Sequence, residues 1–156
     1  MAVSNFTVRM SGTVAYTDNS HGSFEASAIW RGELGGVVAT HSSSDSQANF
    51  GQLAADRGGQ LASMLAVLPG TITLTPPATL PDKTVSSFVM EISGVVSYDD
   101  RTPNGLFLAQ FVNGVVDLFP AESAEHWAAV AGTGGANAML TQVFDALAGS
   151  GNSTVA

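Results

Sequence analysis

The sequence predicts an α+β fold built from two tandem units, each a long β-hairpin followed by a helix, forming antiparallel sheet with the helices on one face. Three observations carry this expectation. A strand-like segment recurs at a constant offset of 82 residues, from Phe6 to Phe88 and from Asp18 to Asp100. A cluster of turn-forming residues follows each occurrence. A stretch with helical spacing of apolar residues then closes each unit.

The first strand reads Phe6-Thr7-Val8-Arg9-Met10-Ser11-Gly12-Thr13-Val14-Ala15-Tyr16. Phe6, Val8, Met10, Val14 and Tyr16 share one face, and Thr7, Arg9, Ser11 and Thr13 share the other. That period of two marks a strand with one face on a core. The second copy, Phe88-Val89-Met90-Glu91-Ile92-Ser93-Gly94-Val95-Val96-Ser97-Tyr98, repeats the pattern. There Phe88, Met90, Ile92, Val96 and Tyr98 share a face, and Val89 and Val95 break the polarity of the other. Gly12 and Gly94 fall at the same place on the apolar face. A mid-strand glycine marks a bulge, a bend or something bulky packed above it. The expectation here is sheet curvature around a crossing helix.

The turns are Asp18-Asn19-Ser20-His21-Gly22 and Asp99-Asp100-Arg101-Thr102-Pro103-Asn104-Gly105. Return strands are expected from Ser23 to about Arg31 and from Leu106 to about Phe119. Gly36-Val37-Val38 resembles Gly114-Val115-Val116. In the first helical stretch Ser44 or Ser46 is the expected cap. Phe50, Leu53, Leu61, Leu65 and Leu68 form its stripe, and Pro69-Gly70 stops it. In the second, Pro120 to Ser123 opens the helix, Trp127, Val130, Leu140, Val143, Phe144 and Leu147 carry the apolar character, and Gly149 ends it. Gly58-Gly59 and Gly134-Gly135 predict a kink or break in each. Thr71 to Thr75 alternates as a strand would. The resulting division is a first unit over 1–75, a Pro-containing connector over 76–86, a second unit over 87–149, and a disordered tail over 150–156.

Composition narrows function mostly by exclusion. The 156 residues carry five Lys plus Arg against thirteen Asp plus Glu, for a net charge of -8. Only 12% are charged, against 45% apolar. With no basic run, neither nucleic acid nor an anionic membrane surface is an expected partner. There is no cysteine, hence no disulfide, thiolate nucleophile or Cys-based metal site. Met1 to Phe6 has no basic start followed by an apolar stretch. The longest charge-free run, between Arg57 and Asp82, contains Pro69-Gly70, Pro76-Pro77 and many threonines, which makes it a poor transmembrane helix.

Chemistry-bearing residues are few. His21 in a turn and His41 in a Ser-rich loop are expected to be solvated, and His126 to lie at a helix rim. None has ligand spacing. Asp18 and Asp99-Asp100 occupy corresponding turns, where carboxylates either bind a cation or bond locally to the backbone; the second is the expected role. Gly132-Thr133-Gly134-Gly135 lacks the lysine of a phosphate loop. Glu25, Glu33 and Glu91 are the carboxylates nearest a possible cavity, and alternation puts Glu91 on the outer face. No catalytic, cofactor-binding or metal residue is assigned, and no cofactor is expected.

The hairpin from Phe6 to Ala28, with Ser11-Gly12 and Tyr16-Thr17-Asp18, and the Ala/Gly/Thr-rich, lysine-poor remainder resemble minor structural proteins of tailed bacteriophages. The resemblance is one of style and has no diagnostic motif, so it carries no functional residue over. It implies a viral structural protein with a tail, connector or capsid-associated role, located in the virion or else the cytoplasm. The expected function is therefore non-enzymatic: a structural or assembly protein acting as a homo-oligomer or with other structural proteins. The alternative is a small-molecule-binding protein or enzyme, with Trp30, Trp127, Phe111, Phe119 and Tyr98 lining a cavity between sheet and helices.

Overall fold

Alternating apolar residues make the strands, and their pairing sets everything else in this computed structural model. It describes residues 3–30, 37–65, 83–112, 115–118, 122–132 and 153–155. The strands are β1 (Val3–Tyr16), β2 (His21–Trp30), β3 (Val37–His41), β4 (Val85–Tyr98), β5 (Gly105–Val112), β6 (Val115–Leu118) and β7 (Ser153–Val155). The helices are α1 (Ser44–Leu65) and α2 (Ser123–Gly132). They form a mixed fold with one sheet ordered β6-β5-β4-β1-β2-β3-β7. Six strands are antiparallel, and β7 joins β3 in parallel.

The two 14-residue strands β1 and β4 pair at the centre. Met10 lies opposite Ile92, Phe6 opposite Val96 and Val14 opposite Phe88. Moving each residue to its counterpart 82 positions away maps this ladder onto itself, since the Phe6–Val96 pair becomes Phe88–Val14. The side chains expected inside are inside: Phe6, Val8, Met10, Val14, Tyr16, Met90, Ile92, Val96 and Tyr98 are buried, and Phe88 is partly buried against them. A fully buried side chain of this size contributes roughly 1.5–3 kcal/mol. The register is firm because a slip of one residue would turn the whole set to water.

Gly12 and Gly94 have one explanation, and it differs from the expected helix crossing. A Cβ on Gly12 would collide with the Val89 carbonyl oxygen and lie 2.7 Å from the Phe24 ring. A Cβ on Gly94 would collide with the Thr7 carbonyl oxygen and the Phe107 ring. In each case an aromatic side chain from the neighbouring return strand lies across the glycine, filling the space that the missing side chain leaves.

Both helices pack on this inner face. The Phe50 ring of α1 meets Phe24 at 5.3 Å, and Trp127 of α2 meets Phe107 at 5.1 Å, edge to face. Leu53 and Leu61 are buried with Phe50, and Val130 with Trp127. The cap of α1 is Ser43, whose Oγ accepts from the Ser46 N–H at 3.0 Å. Ser46 instead turns to the sheet: its Oγ accepts from the Glu25 N–H at 2.8 Å and donates to the Glu25 carbonyl at 2.9 Å. Ser123 of α2 likewise accepts from the Leu108 N–H at 3.1 Å. The kink expected at Gly58-Gly59 sits one residue earlier, at Arg57 (φ -125°, ψ 24°). There Asp56 accepts from the Val85 N–H at 2.8 Å, and Arg57 donates to the Val85 and Ser86 carbonyls, both at 3.0 Å. This fastens α1 to the start of β4.

Two further expectations are corrected. The return strand drawn from Leu106 to Phe119 is two strands, β5 and β6, paired antiparallel with Val112 opposite Val115. The two residues between them are Asn113-Gly114, the pair that two-residue hairpin connections favour. The first return strand is likewise followed by a separate strand, β3. The tail was expected to be disordered, yet Ser153–Val155 pair with Ala39–His41. The expected strand at Thr71–Thr75, the connector prolines, Leu68 to Gly70, and Gly134 to Gly149 lie outside the described residues.

Candidate functional site

At the end of each central strand a tyrosine reaches the helix above it. The Tyr16 hydroxyl donates to Asn49 Oδ1, and the Asn49 amide donates to the Ser23 carbonyl at 2.9 Å. The Tyr98 hydroxyl lies 2.6 Å from His126 Nδ1. Glycine makes room in both places, since a Cβ on Gly22 would strike Asn49 and one on Gly105 would strike His126. Burial pushes both phenols above their ordinary value. The carboxylates of Asp56 and Asp18 add to this at Tyr16, and those of Glu125 and Asp100 at Tyr98. His126, placed at a helix rim by the sequence, is half-buried and engaged with Tyr98.

The other histidines separate. His21 is exposed, as expected. His41 is fully buried, against expectation, because it follows the inward period of β3 two residues after buried Ala39; its ring faces Phe50 at 6.4 Å. The turn carboxylates are occupied locally. Asp18 accepts from the Ser20 N–H at 2.9 Å and from its hydroxyl, and Asp100 from the Thr102 N–H at 2.8 Å. These bonds hold both carboxyls below the usual range. Glu25 pairs with Arg9 at 2.7 Å in the open, and Glu91 accepts from Gln110 at 3.2 Å. Glu33 lies outside the described residues. Among the described residues no three metal-ligating side chains come together. No helix among them is long and apolar enough to cross a membrane.

Two concavities stand out. An open groove of about 840 Å³ lies between the β1–β2 hairpin and the start of α1, lined by Tyr16, His21, Glu25, Asp45, Asn49, Lys83 and several serines. It opens at the Tyr16–Asn49 pair, whereas the Tyr98–His126 pair belongs to the other half of the sheet. The aromatic residues that only the small-molecule alternative would place around a cavity are in the core, where aromatics ordinarily go: the rings of Trp30 and Phe6 lie 5.4 Å apart, and Phe111, Tyr98 and Trp127 are buried. Phe119 lies outside the described residues.

The second concavity, about 640 Å³, is on the outer face of β2, β1, β4 and β5, away from the helices. Its walls are largely apolar. Thr7 lies between Ile29 and Val95, and Val95 lies opposite Leu106, so one row crosses four strands. Leu106 is 61% exposed, Val115 57% and Val112 45%. All three are on β5 and β6, and Val89 and Ile29 extend the patch across the sheet. A polar row, Glu91–Gln110–Asp117, crosses the same face between Leu106 and the Val112–Val115 pair. Exposed apolar side chains on both sides of it make this face a candidate interaction site. No family model, curated protein or solved structure matches the chain.

Sequence reasoning named none of these outer-face residues as functional. The signal was present in the breaks of alternation at Val89 and Val95 and in Leu106-Phe107-Leu108, where two outward positions are leucine. Reading them requires knowing that β5 neighbours β4 and that no described element covers this face.

Proposed function

We propose that the chain is two diverged copies of one hairpin–helix unit and that it works as a non-enzymatic structural or assembly protein, a component of a phage particle in a tail, connector or capsid-associated position. It acts by associating with copies of itself or with neighbouring structural proteins. The observation that carries this reading is the apolar outer face of β4, β5 and β6, with Leu106, Val112 and Val115 in water. The two-copy part is supported by contacts that occur twice: an aromatic ring over each central glycine, a serine from each helix on the return strand, and a tyrosine tied to each helix.

Thermal melting tests the association reading. Binding only to the folded state raises the melting temperature in proportion to ligand concentration and affinity. An association module melts higher as the concentration of its protein partner rises, whether that partner is itself or a neighbour, and is unmoved by a metabolite library. A saturable rise with one metabolite, abolished by Asn49→Ala in the polar groove, contradicts the reading and favours the small-molecule alternative.

A further inference from the structure

The sheet has two edges, and the chain protects them differently. No described strand pairs with the outer edge of β6, whose four residues include the carboxylate of Asp117. A short strand with a charge is a poor template for another strand. β3 has no Asp, Glu, Lys, Arg or Pro. Its edge is covered instead by β7, with Ala39 opposite Ser153, Thr40 opposite Thr154 and His41 opposite Val155. β7 is three residues long, makes the only parallel pairing among the described strands, and has β3 as its one partner there. It also comes from the other half. β7 follows α2, which packs on β5 through Trp127 and Phe107, yet it pairs with β3 and not with β6.

We infer that the edge of β3 is a strand-acceptor site through which copies of this chain join, β7 of one copy seating on β3 of another in the place its own β7 holds here. This rests on the assembly reading above and names the edge and the segment that association uses. The occupant is the one the structure places on that edge, a Ser-Thr-Val strand of this chain, parallel and in the register just given. Exchange between copies keeps every one of those contacts and requires no new surface. Three paired residues are a small part of the sheet's backbone bonding, so β7 opens locally while the antiparallel strands stay paired. Charge does not oppose the step. Neither Val37–His41 nor Ser153–Val155 has a charged residue, although the chain as a whole is at -8. Reach does not oppose it either. Residues 133–152 separate α2 from β7, and a stretch of that length spans up to about 65 Å. From β5 to β7 is five strand spacings, about 24 Å, so a neighbouring copy's β3 is within range. A segment on such a connection returns to its own β3 at an effective concentration of about millimolar, so exchange prevails where copies are held at that density, as they are in an assembly.

Disulfide trapping between full-length chains tests this. Thr40→Cys and Thr154→Cys are made as separate variants, so neither closes a bond within one chain, and the wild type has no cysteine. Facing residues of paired strands lie about 4.8 Å apart, within the separation a disulfide accepts. Mixed in equal amounts at about 0.5 mM and oxidised, the two variants are expected to give a dimer linked between positions 40 and 154, located by mass spectrometry. That dimer should be at least about tenfold more abundant than the one Thr40→Cys forms with Asn104→Cys, an exposed turn position in the other half that registers random collision. A link between positions 40 and 154 no more abundant than the collision control overturns the inference. Should either cysteine variant fail to fold by circular dichroism, sedimentation of the wild type up to about 1 mM decides instead. A dimer that Thr154→Pro abolishes supports exchange, because proline cannot donate to the ladder. A monomer, or a dimer indifferent to Thr154→Pro, overturns it. An overturned exchange leaves the assembly reading standing on a different surface, since that reading fails only on the metabolite result.

Discussion

Gly12 and Gly94 show how much one absent side chain decides. Each lies beneath a ring from the adjacent strand and against a carbonyl of the opposing one, so a valine there displaces backbone as well as an aromatic side chain. Gly12→Val and Gly94→Val are each expected to cost about 3 kcal/mol, read by urea unfolding of the purified variants. Equal stability to wild type would show that the rings do not sit where described. The glycines were legible as special in the sequence, because both interrupt the apolar face at the same step. The identity of what covers them was not, because Phe24 and Phe107 reach them only through strand pairing. The tyrosines give a pH prediction. Both phenols are raised, so folding favours their neutral form. Their contribution is complete below the ordinary phenol value near 10 and is lost as pH rises through the raised ones. Melting temperature should therefore fall above about pH 10, and a Tyr16→Phe, Tyr98→Phe double variant should flatten that fall while losing about 1 kcal/mol per hydrogen bond at neutral pH. An alkaline limb unchanged in the double variant would assign it to other groups.

At the scale of elements, each helix is held by a serine on the strand beneath it as well as by its apolar side. Ser46 is buried and both accepts from and donates to the Glu25 backbone. Ser46→Ala leaves the part-buried Glu25 amide without this partner and is expected to cost about 1 kcal/mol. Ser123→Ala at the Leu108 N–H should cost a similar amount. Denaturant unfolding measures both, and a loss confined to one serine would mean that only one helix is fastened in this way. The sequence offered Ser46 as a helix cap, a reasonable role for a serine near an N-terminus. It is the neighbour Ser43 that caps, because Ser46 lies on the sheet-facing side of α1. Alternation made the long strands plain, since eleven residues of period two, Phe6–Tyr16 and Phe88–Tyr98, have no competing interpretation. The short strands β3, β6 and β7 have three to five residues each, too few for a period to declare itself. His41 was misplaced for this reason: without β3 there was no inward face for it to occupy.

For the molecule as a whole, the central ladder joins both halves into one sheet, and that sheet's two faces are covered differently. The inner face is covered by α1 and α2, while among the described residues nothing covers the apolar half of the outer face. The inner face was readable from the sequence because hydrophobic period and burial coincide there. The outer patch was not, because Leu106 and Val115 resemble ordinary strand residues until their neighbours are known. Everything at this scale depends on β1 and β4 meeting antiparallel with Met10 opposite Ile92. The chain has no cysteine, so engineered pairs report on that register without background. Arg9 lies opposite Ser93, and Ser11 opposite Glu91, on the outer face. The 82-residue correspondence exchanges these two pairs. Facing strand residues lie within the Cα separation a disulfide accepts, whereas a slip of two residues puts them near its upper limit. Oxidation of Arg9→Cys/Ser93→Cys and of Ser11→Cys/Glu91→Cys, followed by non-reducing electrophoresis and mass spectrometry, is the most direct test. The account predicts that both pairs close readily and equally, while Arg9→Cys with Val95→Cys closes poorly. Closure of the slipped pair, or of only one of the two facing pairs, would contradict it.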